Sequence, residues 1–385
     1  MKYETQVEIL NRLLKLRERG TFEMADEIGR VPVSRYIDPG TYEKEMATVF
    51  RNFPQLAGHA SHVRELGSFI VSDWDHFPYV IVRGQDGVLR GFLNQCRHRG
   101  ARLVSESTKQ KYLKTFVCPF HGWVYDLDGS LRSVSREFMF PGLDRCQHGL
   151  IELPVAQRSG LVWIHPTPNA TIDLDDYLGP IADDIDHFDL DGLVSFRKSK
   201  VMRSANWKLL IKTYLEGYHV PFLHRTTLAE VFHNGVIESL VYEKHIRLAA
   251  ARKNICDART TPESEWRILN YASIYYSLFP HAFFILHPDY VSINMFHPLG
   301  AERTLWTHEM LYRPVNFVGE KGQAALTKRF EYTNDVVFDK EDFLVAEDVQ
   351  RGIRYGANTF HVIGTEEALI TRFQANIDQA TGDGE

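Results

Sequence analysis

Two short loops, each with one cysteine and one histidine, constrain this chain more than any other feature. Cys96 and His98 lie in the string CRHRG, and Cys118 and His121 lie in CPFHGW. Each pair follows a run of β-type residues and lies just before a glycine. Two matching loops of this kind predict a small antiparallel β unit that holds a metal group between its loops.

The ligand set by itself fits two kinds of metal group. Two thiolates and two imidazoles form a common structural zinc site, but zinc sites usually present two cysteines together and then two histidines. In a Rieske centre two thiolates hold one iron and two histidines hold the other, and the neutral imidazoles raise the reduction potential. Because each loop supplies one ligand of each type, the spacing favours a [2Fe–2S] cluster, with a zinc-stabilised binding protein as an alternative.

The two loops resemble the Rieske motif in their spacing and in the flanking HRG and HGW residues. The resemblance implies that four residues bind the cluster: Cys96, His98, Cys118 and His121. The other two cysteines, Cys146 and Cys256, have no partner at ligand spacing. We expect them to be buried small apolar residues.

Composition and charge exclude several other classes of protein. The net charge is −6 and the charged residues form no long single-sign block, so we expect no nucleic acid partner. The N-terminal stretch is interrupted by charges and does not resemble a signal peptide, and no run approaches the ~20 apolar residues of a membrane span. We expect a cytoplasmic protein without a membrane partner.

The length of 385 residues and the change of pattern along the chain predict two main domains preceded by a helical lead-in. The predicted fold class of the whole protein is α+β. We expect residues 1–45 to be helical and to pack on the catalytic domain. Residues 46–166 are expected to form an all-β Rieske domain with hairpin turns at 85–87 and 127–129. Residues 167–385 are expected to form an α+β domain whose central antiparallel sheet is covered by helices.

Local patterns predict three helical segments. A helix beginning near Thr41 follows Pro39-Gly40, with Thr41 as its N-cap. The stretch NWKLLIKTYLEGYHVPFLH predicts a second helix that is distorted or ends near Pro221. A final helix from about Gly322 to Tyr355 closes the domain.

The second constellation of candidate ligands lies in the C-terminal half. His219 and His224 are five residues apart, and iron(II) that must bind O₂ commonly uses two histidines and one carboxylate on one face. The carboxylate must come from another segment, and composition does not select it among five acidic residues of one predicted helix: Asp339, Glu341, Asp342, Glu347 and Asp348.

Both segments resemble the catalytic domain of Rieske ring-hydroxylating oxygenase α subunits. In that family a tyrosine-histidine pair and a second histidine follow an NWK-like stretch, and an acidic pair precedes glutamine-arginine-glycine. The resemblance implies that His219, His224 and Asp342 bind iron(II), with Glu341 as the alternative carboxylate. It also implies that Glu216, where most members have aspartate, bridges to a Rieske histidine of the neighbouring subunit and carries electrons to the iron.

The resemblance implies the terminal oxygenase component of a multicomponent system. Such a protein uses O₂ and electrons from an NAD(P)H-dependent reductase, with or without a ferredoxin, to mono- or dihydroxylate an aromatic or other hydrophobic substrate. Electron transfer between subunits implies a ring, and a homotrimer is the simplest one. An additional β subunit is left open.

The expected substrate pocket lies in the aromatic-rich part of the sheet, at five residues: Tyr275, Phe279, Phe283, Phe284 and Ile285. Their apolar character favours a hydrophobic substrate. Two alternatives are kept. One is a quaternary-amine monooxygenase or demethylase of the same family, because Glu216 also occurs in some of those enzymes. The other is a Rieske electron-transfer protein without oxygenase activity.

Overall fold

The computed structural model describes residues 1–20, 23–72 and 74–383. Their contacts divide the chain into two compact units, one of residues 50–177 and one that joins residues 1–49 to 178–385. Within the described part of the chain, no helix has both the length and the apolar character that crossing a membrane requires.

Short helices and antiparallel strands make up both units. The α-helices are α1 (Tyr3–Arg19), α2 (Pro39–Asn52), α3 (Leu174–Leu178), α4 (Pro180–Asp186), α5 (Trp207–Lys212), α6 (Val220–Leu223), α7 (Ile268–Tyr271), α8 (Gly319–Glu331), α9 (Phe343–Arg354) and α10 (Ala368–Thr381). The strands are β1 (Gly29–Pro32), β2 (Gln55–His59), β3 (Phe69–Ser72), β4 (Tyr79–Arg83), β5 (Leu89–Leu93), β6 (Phe116–Val117), β7 (Val124–Tyr125), β8 (Leu131–Ser133), β9 (Glu152–Leu153), β10 (Val155–Arg158), β11 (Leu161–Ile164), β12 (Val194–Arg203), β13 (Phe232–Tyr242), β14 (His245–Arg252), β15 (Ala272–Leu278), β16 (Ala282–Leu286), β17 (Tyr290–Gly300), β18 (Arg303–Tyr312) and β19 (Phe360–Ile363).

The unit of residues 50–177 contains three small antiparallel sheets, with strand orders β10-β11-β2, β3-β4-β5-β9 and β6-β7-β8. The predicted turn at 85–87 joins β4 to β5, and the one at 127–129 joins β7 to β8. Gly129 has a φ of 89°, a conformation that favours glycine, and a β-carbon there would lie 2.5 Å from the ring of Phe92. Both predicted hairpins are confirmed.

The core of this unit lies beneath the two Cys/His loops. Phe92, Phe116 and Tyr125 are buried together with the two loop cysteines, Cys96 and Cys118. The loops therefore rest on a packed aromatic layer, which fixes their separation.

The larger unit is built on a seven-stranded antiparallel sheet with strand order β12-β18-β17-β16-β15-β14-β13. Its central strands are almost fully buried, which explains their near-continuous apolar sequence. Together with the helices, the sheet gives the α+β class that the sequence predicts.

Helix α1 packs on β13 through one apolar stripe. Its buried residues recur at helical spacing, at Ile9, Leu10, Leu13 and Leu14. The helix ends at Gly20, whose φ of 60° is left-handed and whose N–H donates to the carbonyl of Leu16.

Helix α2 is capped by Asp38 rather than by the predicted Thr41. One Asp38 carboxylate oxygen accepts hydrogen bonds from the N–H of Thr41 at 2.6 Å and from its hydroxyl at 2.9 Å. These bonds lower the pKa of Asp38. The carboxylate satisfies a first-turn N–H that has no partner within the helix, which is why the short acidic side chain takes the cap.

The predicted helix over residues 206–224 is two short helices, α5 and α6, with an irregular turn between them. Asn206 caps α5 by accepting from the N–H of Lys208 at 3.0 Å. Trp207 donates through Nε1 to buried Glu45 at 2.9 Å, and the ammonium group of Lys208 pairs with the same carboxylate. Pro221 occupies the first turn of α6, where its missing N–H has no cost.

The predicted final helix is one continuous helical segment of three parts: α8, a π-helical stretch at Tyr332–Asp342, and α9. It does not close the chain. Strand β19 follows and pairs with β1, and α10 comes after it. The sequence did not indicate these last elements, because the strand at Phe360–Ile363 pairs with a strand some 330 residues earlier, and no local pattern reveals such a pairing.

Candidate metal centres

The two Cys/His loops share one backbone arrangement. In each loop, the N–H of the cysteine donates a hydrogen bond to the carbonyl five residues later, at 2.8 Å for both Cys96 and Cys118. The glycine four residues after each cysteine, Gly100 or Gly122, donates back to the cysteine carbonyl at 2.8 or 2.9 Å. Both glycines have positive φ, 77° and 67°, where a β-carbon would be strained.

Four side chains converge between these loops. The thiols of Cys96 and Cys118 are buried and form no disulfide. The rings of His98 and His121 lie 4.8 Å apart between centroids. Nδ1 of each ring is buried and has no hydrogen-bond partner among the described residues. Two thiols and two unsatisfied imidazole nitrogens are thus brought together, as the sequence predicts.

Tyr125 and Trp123 support the two loops from the core side. The hydroxyl of Tyr125 lies 3.3 Å from Sγ of Cys96 and accepts from the N–H of Arg97 at 3.0 Å, which leaves its proton for the sulfur. Trp123 stacks on His98 at 4.9 Å. Burial raises the pKa of the Cys96 thiol and, with His121 and Arg99 nearby, lowers the pKa of His98, so the imidazole is held neutral.

Arg99 is the polar neighbour of the second imidazole. A guanidinium nitrogen of Arg99 lies 2.8 Å from Nε2 of His121, and its guanidinium also lies over the ring of Phe120 at 4.6 Å. Use of Nδ1 as a ligand places the proton on Nε2, so Arg99 has to turn away when the imidazole coordinates.

A second group of three side chains meets in the larger unit. Ligand atoms of His219, His224 and Asp342 all lie within 4.8 Å of one another. Nε2 of His224 is 3.1 Å from Oδ1 of Asp342, and Nε2 of His219 is 3.5 Å from the same oxygen. His224 and Asp342 are buried, whereas His219 is partly exposed.

A glutamate holds the far side of each imidazole. Oε2 of Glu341 lies 2.7 Å from Nδ1 of His224 and accepts from the Thr227 hydroxyl at 2.9 Å. Glu216 contacts Nδ1 of His219 and accepts from its backbone N–H at 3.1 Å. Both Nε2 atoms therefore face Asp342. Glu341 lies on the opposite, Nδ1 side of the His224 ring.

The histidines and carboxylates of this group stabilise one another's charged forms. Burial alone lowers the pKa of His219, but hydrogen bonds to Asp342 and Glu216 reverse this and raise it to about 10. Burial likewise lowers the pKa of His224, but Asp342 and then Glu341 outweigh this effect and raise the pKa. Burial opposes ionisation of Asp342, yet its two histidine partners lower its pKa. A cation at this point would replace the two histidine protons.

Two irregular segments place the three residues. His219 lies just before α6, in the turn where the predicted helix breaks, and His224 directly follows α6. Asp342 is the last residue of the π-helical stretch. π-Helical turns within α-helices are frequent at functional sites, because the extra residue redirects the side chains that follow.

A cavity of about 430 Å³ opens beside this group, and His219, His224 and Asp342 all line it. Of the five predicted pocket residues, Tyr275 and Ile285 line the cavity. Phe279, Phe283 and Phe284 do not line the cavity, contrary to the prediction. Adjacent strand residues point to opposite faces, so Phe284 packs on Tyr276, while Phe283 is covered by Tyr214.

Several residues at the two centres were not predicted from the sequence. They are Tyr125 and Arg99 at the loops, Thr227 beside Glu341, and Arg252 and His287 on the cavity wall. Tyr125 carries a usable signal, because it lies two residues after Trp123, on a strand whose alternate residues share a face. The expectation for Cys146 and Cys256 is wrong: both are exposed, because each lies in a 3₁₀ turn at the surface.

Comparisons with known proteins match both units. Residues 54–139 match the Rieske [2Fe-2S] domain, and residues 190–383 match the ring hydroxylating alpha subunit (catalytic domain). Choline monooxygenase, chloroplastic, from Beta vulgaris is 27% identical over 335 residues, which cover 84% of this chain and 70% of that protein. Biphenyl 2,3-dioxygenase subunit alpha from Rhodococcus jostii is 36% identical over 167 residues, 43% of this chain and 36% of that one.

The fold also matches solved structures. The quaternary ammonium Rieske monooxygenase CntA, in a complex with an inhibitor, superposes with a TM-score of 0.79 at 23% identity. The match covers 93% of this chain and 96% of CntA.

A Rieske domain followed by a non-haem iron catalytic domain defines an O₂-dependent oxygenase. The chain belongs to the ring-hydroxylating α subunit family of Rieske oxygenases. The [2Fe–2S] cluster and the mononuclear iron are the cofactors of this family, and its members work with reductase or ferredoxin partners and form multimers.

Proposed function

We propose that this chain is a terminal oxygenase that hydroxylates a small organic substrate in the cavity beside His219, His224 and Asp342. The observation that carries the proposal is the position of two imidazoles and one carboxylate on the wall of a cavity of about 430 Å³. Such a facial set leaves the remaining coordination positions open for O₂ and substrate.

The residues present fit both cofactors. For the cluster, the fit rests on the two buried thiols and on the Nδ1 atoms of His98 and His121, which have no other described partner. A thiolate pair and an imidazole pair match the ligands of the two irons of a Rieske centre. For the iron, the fit rests on two Nε2 atoms and one carboxylate oxygen that face a common point. We assign Asp342, and not Glu341, as the carboxylate ligand.

When bound, the cluster supplies single electrons and the mononuclear iron supplies the activation of O₂. The chain's own residues position the ligands and shape the site. Glu341 fixes the orientation of His224, and Glu216 fixes that of His219. The apolar walls of the cavity exclude water from the reacting end of the substrate.

Glu216 is the residue that would connect the two metal centres in this proposal. Its carboxylate contacts Nδ1 of His219, so it lies directly behind one iron ligand. The second carboxylate oxygen accepts a hydrogen bond from the backbone N–H of His219. After releasing this bond, it would accept one from a Rieske histidine of the neighbouring subunit. Transfer between subunits requires a closed ring, for which we propose a homotrimer.

An aromatic or other hydrophobic substrate is supported by the cavity wall. Leu248, Ala250, Tyr275 and Ile285 form a continuous apolar face on three adjacent strands. Burial of apolar area contributes roughly 25 cal/mol per Å², so a hydrophobic substrate gains affinity from this wall. Both mono- and dihydroxylation fit the same ligands.

A quaternary amine is the second candidate substrate, and a specific observation favours it. Tyr275, Tyr290, Tyr332 and Phe338 all line the cavity, and rings of this kind bind quaternary ammonium groups through their faces. Choline monooxygenase, to which this chain is similar over 84% of its length, carries a quaternary-amine substrate in its name.

The proposed partners are an NAD(P)H-dependent reductase, with or without a ferredoxin, and a small organic substrate with O₂. We place the protein in the cytoplasm, where NAD(P)H is supplied to such a reductase. A β subunit is not needed to complete either metal centre, because all seven proposed ligands come from this chain: Cys96, His98, Cys118, His121, His219, His224 and Asp342.

A single-turnover experiment tests the function. The protein is reduced anaerobically, supplied with Fe(II) and exposed to ¹⁸O₂ with a panel of aromatic compounds and quaternary amines. We expect an ¹⁸O-labelled product and simultaneous oxidation of the cluster, and we expect His224→Ala to retain the cluster spectrum but form no product. A cluster that is oxidised without any labelled product across the panel would favour the electron-transfer alternative.

A further inference from the structure

One end of the cavity contains a cation, Arg252, that pairs with no carboxylate in the part of the chain that the structure describes. Arg252 is the last residue of β14 and lines the cavity. Two other residues of β14 that line the cavity, Leu248 and Ala250, alternate with it on the same face of the strand. Arg252 also borders a surface depression next to Lys253 and Asn254, so it lies between the cavity and the protein surface.

The polar contacts of Arg252 are few and weak. Its guanidinium donates one long hydrogen bond, 3.5 Å, to the hydroxyl of Ser273, and lies over the ring of Phe232 at 5.7 Å. Within the described ranges 1–20, 23–72 and 74–383, no ion pair joins Arg252 to a carboxylate. Its other guanidinium N–H groups are available to a ligand.

The other charged residues that line the cavity all have partners. Arg329 is paired with Asp289 through two contacts, of 2.9 and 2.5 Å. Glu216 is bonded to His219, and Asp342 lies between the two histidines. Among the charged residues that line the cavity in the described part of the chain, Arg252 therefore differs in having no oppositely charged partner. Its guanidinium is available to bind a charged group of the substrate.

His287 provides a second donor at this end of the cavity. Its Nε2 atom is buried and has no hydrogen-bond partner among the described residues, and its ring stacks on Tyr290 at 4.1 Å between centroids. Burial, with a further contribution from Arg252, lowers the pKa of His287 to about 3, so the ring is neutral. In the Nε2–H tautomer it is an unsatisfied N–H donor.

We propose that Arg252, with His287 beside it, binds a carboxylate of the substrate. A planar guanidinium binds a carboxylate through two parallel hydrogen bonds, and a neutral imidazole N–H adds a third donor. The apolar and aromatic middle of the cavity then holds the body of the molecule, with its oxidised carbon towards His219, His224 and Asp342. The substrate class is an organic acid or a betaine rather than a neutral hydrocarbon or a simple amino alcohol.

This inference rests on the proposed function for the direction of the substrate, but the binding step can be measured without turnover. Two matched probe pairs differ only in the anionic group: benzoate with benzamide, and glycine betaine with choline. Binding to the full chain, after incubation with Fe(II), is measured by calorimetry under anaerobic conditions. The variants are Arg252→Gln, which removes the charge, and Arg252→Lys, which keeps it.

Lys253→Gln is the matched control, because it removes the same charge one residue further along, on an exposed side chain. We expect the wild type and Lys253→Gln to bind at least one carboxylate probe about tenfold more tightly than its partner without a carboxylate, as expected for a charge-assisted hydrogen bond. Arg252→Gln should lose that difference while its affinity for benzamide is unchanged and its affinity for the cation choline does not fall. Arg252→Lys should retain part of it.

Two results would overturn the inference: neither carboxylate probe binds more tightly than its partner without a carboxylate, or Arg252→Gln binds both carboxylate probes like the wild type. Iron and sulfide content are measured on the same samples. If the acid preference depends on Arg252 but the protein never takes up the mononuclear iron, the proposed oxygenase function fails and the carboxylate site stands. If labelled product forms only from compounds without a carboxylate, the oxygenase function stands and the carboxylate site fails.

Discussion

Nε2 of His224 lies 3.1 Å from Oδ1 of Asp342, although the two residues are 118 positions apart in the sequence. The other nitrogen of the same ring faces Glu341, the residue next to Asp342. Two adjacent acids thus take opposite sides of one imidazole. This arrangement supports our assignment of Asp342 as the metal ligand and of Glu341 as the group that orients His224, a choice that the sequence alone leaves open.

The first prediction concerns these two acids. Asp342→Asn removes the charge that faces both Nε2 atoms, so we expect loss of the mononuclear iron with the cluster spectrum unchanged. Glu341→Gln should keep the iron but weaken its binding about 10- to 100-fold, the usual effect of removing an outer partner. Iron per chain, measured against Fe(II) concentration, checks both. If Glu341→Gln loses the iron and Asp342→Asn keeps it, the assignment is reversed.

The second prediction concerns Glu216. Glu216→Gln should retain both metals and slow oxidation of the cluster in single turnover by about 10-fold or more, since it changes the partner of His219. Glu216→Asp keeps the charge and should recover part of the rate. Glu230→Gln, which removes an exposed carboxylate, is the control and should have no effect. An unchanged rate in Glu216→Gln would exclude the bridging role.

The third prediction concerns the hydroxyl that contacts Cys96. Tyr125→Phe removes a hydrogen bond to the sulfur, at 3.3 Å, and such bonds raise the reduction potential of a cluster. A net contribution of about 1 kcal/mol corresponds to roughly 40 mV for one electron. We expect the potential, measured by spectroelectrochemistry, to fall by this order. A potential that stays constant or rises would show that the hydroxyl does not donate to the sulfur.

The fourth prediction concerns the pH dependence of stability. Burial lowers the pKa of His308 to about 4, although Asn334, Glu309 and Asp335 act in the opposite direction. Between pH 6.5 and 4 the unfolded chain binds a proton at this position and the folded chain does not. Stability from this histidine is therefore present above pH 6.5 and is lost by about 1.4 kcal/mol per pH unit as the pH falls towards 4.

His308→Gln tests this dependence by urea unfolding at pH 7, 6 and 5. The variant should be less stable than the wild type at pH 7, because His308 bonds to Asn334 and Ser292, at 2.9 and 3.1 Å. The difference should narrow as the pH falls, since the variant has no proton to bind there. Parallel stability curves for the two proteins would contradict the account.

The cluster loops were predictable because their geometry is local. Each loop spans only five or six residues, and its backbone hydrogen bonds join residues within that span, such as Gly100 to Cys96. The two hairpin turns at 85–87 and 127–129 were predictable for the same reason. Residue type and spacing are sufficient wherever a structure is closed by contacts that are short in sequence.

The iron site was only partly predictable, because it is assembled from distant segments. The break between α5 and α6 begins after Lys212, nine residues before the proline near which the sequence predicts a distortion. Three of the five predicted pocket residues lie elsewhere, since an apolar strand buried on both faces gives no signal of which face borders a cavity. Arg252 gave no signal at all, because an arginine at the end of a strand is common at protein surfaces.

The metal content of the purified chain tests the central claim most directly. The protein is prepared anaerobically, incubated with Fe(II) and freed of unbound metal, and iron and acid-labile sulfide are then measured with the spin-resonance spectrum of the reduced form. The account predicts about three irons and about two sulfides per chain, with a Rieske-type signal. Two irons that do not increase after incubation with Fe(II) would contradict the second metal centre, and zinc without sulfide would contradict both.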